Sequence, residues 1–595
     1  MDKKNTFIGV LLLVAAFALV YLGPKPERPA AIAPAPVTTA ASSSAMTAPG
    51  APASTASAPG PLANPSFAAA VKDAAAATVT TLANDFVEVR FSDFGGAIRE
   101  VALKKYPTEL GSATPYAFNA LHADPMLALV DYPGLDRTVR YERVTQSATA
   151  VVYRAVLDGR LEVTRRFTLA PSTGETTDPY QLRHETTFRN LTAETATLPR
   201  VALSLGTAAP TSAHDLGIQL TAGSSNGKDQ TFTARGQLEA STGFLGMGAS
   251  ELKPVIAQGG AIAWSAVGNQ FFTTILTPDE PGSGLITRRV KLFSALPDED
   301  HNAYGLTAAT QFDLKPLAAH GETKLALSFY VGPKEYRRLA NTNVFKADQD
   351  KVMQYGFWKF FSQLLITLMT WMHGFAPNWG VAIVLMTLTL KVVFLPLTLK
   401  ASRSMKRMAK LQPLMTVIRE KFKDNPQKQQ AAMMELYKEH KVNPLGGCLP
   451  MLIPFPFFIG FFSMLQSTAE LRFAPFLWAS DLAAPDTVGH LLGLPINIFP
   501  ILLTAITFVQ MRLTPTPTMD NAQAKMMQFM PLVFLFIYYT FPSAISVYSI
   551  ANGTFTIIQQ VVINRMKDDG DPSNAPITVP AGGKPIKNVT PRKKG

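Results

Sequence analysis

Two periods divide this chain. From about residue 76 to 345 apolar and polar residues alternate, as in half-buried strands. After 350 the apolar residues recur every three or four positions or run unbroken, as in helices. In the first region Val87, Val89 and Phe91 alternate with Glu88, Arg90 and Ser92, and Asp93-Phe94-Gly95-Gly96 supplies a turn. Asp158-Gly159, set between 153–157 and 161–167, is a hairpin signal. Leu325, Leu327, Phe329 and Val331 alternate again before Gly332-Pro333. The pattern predicts one large all-β antiparallel sandwich over 76–345.

The helical region opens at 351–376. Phe357, Phe361, Leu364, Leu365, Leu368 and Met372 follow helical spacing, and Trp358, Lys359, Gln363 and Trp371 give the segment interfacial character. It reads as an amphipathic helix on the outer membrane boundary. A full span is the alternative, against which Lys359 and Pro377 count. Residues 379–400 form an apolar run long enough to cross a bilayer. In the charged stretch 401–442, Met408, Leu411, Met415, Ile418 and Phe422 step by three and four. Asp424-Asn425-Pro426 then breaks the helix, and Met433, Leu436 and His440 resume the step. This predicts a helical hairpin outside the membrane. Further spans are expected at 443–466, kinked by Pro444, Pro450, Pro454 and Pro456, and at 494–512, 526–541 and 544–564. A 377–564 core would thus hold five membrane helices.

Lys3 and Lys4 precede an apolar run over 7–22, which reads as an uncleaved anchor (1–23) rather than a signal peptide. The nearest small-residue cleavage site, Ala31-Ile32-Ala33, lies well past its end. The total becomes six transmembrane α-helices. Residues 24–75 are mostly Ala, Pro, Ser and Thr and read as a disordered linker. Positive residues fix the orientation. Arg403, Lys406, Arg407 and Lys410 follow the 379–400 span, Arg512 ends another, and the 565–595 tail carries Arg592, Lys593 and Lys594. Both termini are therefore expected in the cytoplasm and the β domain outside. The net charge of +12 permits contact with anionic lipid or RNA. The basic hairpin and tail are either plainly solvated or docked on phosphate.

The single cysteine, Cys448, excludes an intramolecular disulfide. The sequence carries no phosphate-binding glycine loop, zinc-type spacing or nucleophile elbow. His184, His214 and His301 are scattered. No enzyme activity, cofactor or metal is expected.

The candidate chemistry lies inside the first span of the core. Lys391 stands nine residues before Lys400, about 14 Å along a helix axis. A lysine at that depth costs roughly 3 kcal/mol unless it faces protein or water. Thr387 and Thr398 share its face. On the last span Ser549, Asn552, Thr556 and Gln559 form a polar stripe, either helix–helix glue or a groove lining. None of the five core spans contains Asp or Glu, so Lys391 has no acidic partner there, and a carboxylate-based proton pump is disfavoured. Either Lys391 snorkels to a headgroup or it stands in a wet groove that attracts a polar or acidic peptide flank. Leu452, Phe455, Phe458, Phe462 and Phe534 are candidates, by composition, for an apolar slide into lipid. The rival readings are a solute transporter or channel, and a membrane-tethered periplasmic sugar-binding protein.

Several motifs taken together resemble a known family. They are Asn443-Pro444-Leu445-Gly446-Gly447-Cys448, Tyr330-Val331-Gly332-Pro333-Lys334, Phe541-Pro542-Ser543 and Thr556-Ile557-Ile558-Gln559-Gln560. The chain is similar to the YidC-type bacterial membrane-protein insertases of the Oxa family, in the Gram-negative arrangement with a first anchor and a large periplasmic domain. The resemblance spans nearly the whole chain. It implies a five-helix core around a hydrophilic groove open to cytoplasm and lipid. It also implies nascent membrane proteins as clients, and the Sec translocon, ribosomes and signal-recognition machinery as partners. Lys391 matches the groove's positive residue, usually Arg in this family; the substitution keeps the charge and loses the bidentate fork.

Overall fold

The computed structural model describes residues 77–565 apart from 241–249, 441–453, 514–520 and a few isolated loop positions. The expected anchor (1–23) and linker (24–75), the 566–595 tail, His214, Leu452 and the 443–448 motif lie outside the described residues.

The alternating region folds into antiparallel sheets. The largest has nine strands, from Gln230–Ala234 at one edge to Glu142–Gln146 at the other. Its middle strand is Glu322–Pro333, the last strand of the region in sequence, paired with Phe272–Pro278 on one side and Gln181–Asn190 on the other. A four-stranded sheet of Val255–Ile262, Gly282–Lys291, Tyr304–Phe312 and Val201–Ala208 packs over one half. A second, built from Val79–Ala83, Val87–Ser92, Ala97–Pro107 and Pro115–Phe118, packs over the other, where Phe91 meets Phe167 at 5.0 Å. The alternation has its physical cause in this layering: Leu325, Leu327, Phe329 and Val331 are all buried between sheets. Asp158 and Gly159 turn the expected hairpin with φ of +50° and +65°.

Several buried polar side chains in this domain are held by specific partners. Arg165 donates to the carbonyls of Gly95 (2.6 Å) and Leu127. Arg338 donates to Asp178 at 2.6 Å and Glu335 at 2.9 Å. His184 is fully buried, stacks on Phe167 and bonds the Thr186 hydroxyl. Burial and the neighbouring Arg165 hold its imidazole neutral, well below the usual range, so it is a packing residue. Gly332 is required by crowding, since a Cβ there would lie 2.6 Å from the Tyr330 hydroxyl. That hydroxyl donates to the Pro333 carbonyl at 2.7 Å and fixes the junction.

Among the described residues eight helices of ten residues or more follow: α1 (Lys359–Phe375), α2 (Trp379–Lys410), α3 (Gln412–Lys421), α4 (Pro426–Glu439), α5 (Pro454–Leu465), α6 (Ile498–Leu513), α7 (Asn521–Tyr539) and α8 (Ser543–Arg565). Some boundaries differ from the sequence reading. α2 does not stop at Lys400 but continues through Pro396 to Lys410. The break comes where Pro413, which lacks an N–H, opens α3. The span expected from 494 begins only at Ile498, because Leu494–Asn497 pairs with Thr487–Leu491 as a β-hairpin. α5 is described only from Pro454. Asn425 caps α4 by accepting from the Lys428 amide at 3.0 Å, and Pro426 sits at its first turn. A small separate core of Met408, Leu411, Leu414, Met415, Ile418 and Leu436 holds α3 against α4.

Among the described residues one helical segment, Trp379–Leu399, is long and apolar enough by itself to cross a bilayer. Pro454–Leu465, Ile498–Leu513 and Phe529–Tyr539 are apolar but shorter.

Candidate functional site

Helix direction determines which side chains face each other. Lys391 meets Thr556 and, two turns later, Thr398 meets Gln559, so α2 and α8 run parallel. α6 runs with α8: Gly553 sits against Ile506, and Asn564 donates to the Leu513 carbonyl. α5 runs against α2, since Phe394 meets Phe457 while Asn378 near the start of α2 bonds the Pro475 carbonyl beyond α5. α7 runs with α5 through Phe458–Tyr538 and Phe462–Phe541. Close approach is bought with small residues at two crossings. Gly553 lets α8 lie on α6, and Gly460 lets α5 lie on α1, where the Ser362 hydroxyl donates to the Gly460 carbonyl at 2.8 Å.

Between α2 and α8 lies a ladder of polar contacts. Lys391 Nζ donates to Thr556 Oγ1 at 2.8 Å, and that hydroxyl donates to the Asn552 carbonyl at 2.7 Å. Gln559 Nε2 donates to Thr398 Oγ1 at 2.9 Å. The hydroxyls of Ser549 and Tyr538 share a hydrogen bond of 3.0 Å, extending the ladder toward α7. Lys391, Asn552, Thr556 and Gln559 are each half-buried, so the ladder lies at an accessible seam. Thr387 differs: it is 2% exposed and its hydroxyl turns back on the Ile383 carbonyl at 2.7 Å. It is packed within the helices and makes no side-chain hydrogen bond to α8.

The aromatic candidates divide into two groups. Phe458, Phe462 and Phe534 gather around Tyr538 and Phe541, with ring centroids 5.3–6.3 Å apart. Phe455 points elsewhere, edge-on to Trp358 beside α1. Arg403, Lys406, Arg407 and Lys410 fall on the extended C-terminal part of α2. Exposed apolar side chains cover the outside: Val392 and Val393 on α2, Ile501 and Val509 on α6, Phe529 and Phe536 on α7, Ile558 and Val562 on α8.

Two residues had no sequence signal beyond their type. Arg472, a lone cation in a loop, donates to the carbonyls of Pro107 and Thr108 at 2.6 and 2.8 Å and covers the Phe271, Phe272 and Phe473 rings. With the Ala469 amide donating to the Lys334 carbonyl, it ties the loop after α5 to the β domain. Asp486 Oδ2 caps α6 by accepting from the Ile498 and Phe499 amides at 3.0 and 2.6 Å, and it holds Trp478 Nε1 at 2.9 Å.

Comparison with known proteins matches both regions. Residues 79–368 match the model of the YidC periplasmic domain, and 371–570 match that of the 60Kd inner membrane protein family. The membrane protein insertase YidC of Tolumonas auensis is 31% identical over 502 residues, covering 82% of this chain and 86% of that one. The YidC of Geobacter sp. (strain M21) is 38% identical over 314 residues, which span 53% of this chain and 54% of the relative. A crystal structure of an active YidC insertase with its first transmembrane domain resolved matches 82% of this chain and 93% of its own, at 18% identity and a TM-score of 0.32. With family models on both sides of residue 370 and a relative aligned through both, this chain belongs to the YidC family of membrane protein insertases.

Proposed function

We propose that this chain inserts nascent helices into the bacterial inner membrane along the seam between α2 and α8. One observation carries the reading. Lys391 sits in the described helical segment that is long and apolar enough by itself to cross a bilayer, bonded to the Thr556 hydroxyl, and no core span offers a carboxylate to neutralise it. A cation placed at that cost has a use for its charge. A nascent helix gains hydrophobic free energy in lipid, and its barrier is the passage of a polar flank across hydrocarbon. The flank replaces water around Lys391, Asn552, Thr556 and Gln559, which shortens the apolar distance left to cross. The helix then leaves past Phe458, Phe462 and Phe534. No bond is made or broken.

The finer arrangement follows the same reading. Six spans place both termini in the cytoplasm and the β domain in the periplasm, and α1 lies along the outer boundary. The alternation of α2, α5, α6, α7 and α8 supports five core crossings. The α3–α4 hairpin with Arg403, Lys406, Arg407 and Lys410, and the tail with Arg592, Lys593 and Lys594, face ribosomes, signal-recognition machinery and anionic lipid. The Sec translocon is a further partner. Insertion of a model client into liposomes holding only the purified protein tests the core reading. Equal insertion into protein-free liposomes would overturn it.

A further inference from the structure

The loop between α5 and α6 carries a β-hairpin that groove-mediated insertion does not use. Thr487–Leu491 pairs with Leu494–Asn497, and the Leu491↔Leu494 pair closes a two-residue turn, Leu492-Gly493. Both turn residues have positive φ, +53° at Leu492 and +82° at Gly493, which is the pattern of a type I′ turn. That turn favours Asn-Gly. A leucine at its first position crowds its own backbone in the left-handed region, so its side chain, not the turn, is the reason for its presence. It is also 96% exposed, with Leu491 at 64% and Leu494 at 71% beside it.

The base of the hairpin is fixed while the tip is bare. Asp486 locks it to the start of α6 and to Trp478. Asn497 Nδ2 donates to the Tyr539 carbonyl at the end of α7 at 2.7 Å, and the Tyr539 hydroxyl donates to the Pro495 carbonyl. No Asp, Glu, Lys or Arg occurs between Thr487 and Asn497. The tip therefore offers no charge for phosphate or for an acidic or basic peptide. Its strand runs without a linker into α6, whose Ile501 and Leu502 are exposed and apolar, so the two surfaces are continuous. Leu492 lies within about 20 Å of the first turn of α6 at strand spacing.

We infer that Leu491, Leu492 and Leu494 seat the hairpin tip in the outer leaflet of the bilayer, fixing the depth at which α6 and α7 meet the periplasmic face. The inference rests on α6 entering the membrane from that face. Penetration is shallow, because the outer edges of a two-stranded hairpin keep backbone groups that need water or headgroups.

The test uses the full chain with Cys448→Ser and a single environment-sensitive label at Leu492→Cys or Ile501→Cys. Each protein is reconstituted in phosphatidylcholine–phosphatidylglycerol vesicles containing lipids with a nitroxide near the headgroup or deep in the chain. The expected result is at least twofold quenching of the Leu492 label by the shallow nitroxide, weaker quenching by the deep one, and little quenching by aqueous iodide. A Leu492 label open to iodide and untouched by lipid nitroxide, with Ile501 quenched, overturns the inference and leaves the membrane reading intact. An unquenched Ile501 label removes the membrane reading and the inference together. A photocrosslinker at 492 that captures a translating client in preference to lipid assigns the tip to clients and overturns the inference. Leu492→Asn, which suits the turn better, keeps the hairpin folded; with the label moved to Leu494→Cys, its shallow quenching should fall by about half.

Discussion

Two arginines of the β domain and one lysine of the helical core are held in opposite ways. In the β domain Arg165 and Arg338 are closed by carbonyls and carboxylates, so their charge is spent on holding sheets and junctions together. In the helical core Lys391 is given a single hydroxyl, and the surrounding spans hold no acid at all. A paired charge is architecture. A charge without an acidic partner at an accessible seam is what the proposed insertion route uses.

Changing Lys391 should break this contrast most strongly. Lys391→Arg should keep insertion, Lys391→Ala should impair it, and Lys391→Glu should be worst for clients with acidic translocated tails. One charge pair at an effective dielectric near 20 is worth up to about 4 kcal/mol at contact, and less with water between. Protease protection of a client's tail, with tail charge varied, reads the effect. Equal protection across all variants would return Lys391 to a snorkelling role.

The opposite pattern is expected at Arg338. Arg338→Ala leaves Asp178 and Glu335 without their partner and should destabilise the β domain by about 3 kcal/mol. Near-UV dichroism during thermal unfolding would detect it, while client insertion by the folded fraction should stay within about twofold. Gly460→Ala should act between these extremes in place but not in size. A Cβ would lie 2.7 Å from the Phe361 Cβ, forcing α1 off α5 at about 1–3 kcal/mol. A lowered melting temperature of the helical signal checks it.

A pH-dependent effect is expected at the junction between the two regions. Burial, with Glu335 nearby, raises the Glu470 carboxyl from 4.5 to about 8. The folded form then keeps a proton that the unfolded chain releases between those values. Its contribution is full below pH 4.5 and declines by at most ~1.4 kcal/mol per pH unit until pH 8. Burial of Lys334, held down to about 7 from 10.5, gives the reverse trend, with stability rising between those two values. Glu470→Gln should flatten the acid-side slope in pH-dependent denaturation. An unchanged slope would show that Glu470 does not carry the titration.

Most of the β domain was legible because burial on one strand face leaves a period of two, as at Leu325 to Val331. The helical ladder was partly legible: helical spacing put Lys391 with Thr398, and Ser549, Asn552, Thr556 and Gln559 on one stripe, but spacing does not say which stripe faces which. Spacing also grouped Thr387 with Lys391, and its side chain is buried with its hydroxyl on its own helix; Phe455, chosen by composition, packs on Trp358. The 487–497 hairpin was missed because Leu492-Gly493 lacks the Asn or Asp that marks such a turn, and its apolar residues read as the beginning of a span. Arg472 carries no local signal, because its partners are carbonyls hundreds of positions earlier.

The position of Glu322–Pro333 bears on the order of events during synthesis. This strand is the middle of the nine and the last of the domain to leave the ribosome. Before it arrives, Phe272–Pro278 and Gln181–Asn190 have no common neighbour, and the sheet is two separate halves. Closure is thus a late, long-range event of the kind that makes β topologies slow to fold. Only some two dozen residues separate Pro333 from α1, so the domain finishes assembling as its own membrane helices are being made. Until this strand arrives, two sheet edges of the domain wait for its twelve residues.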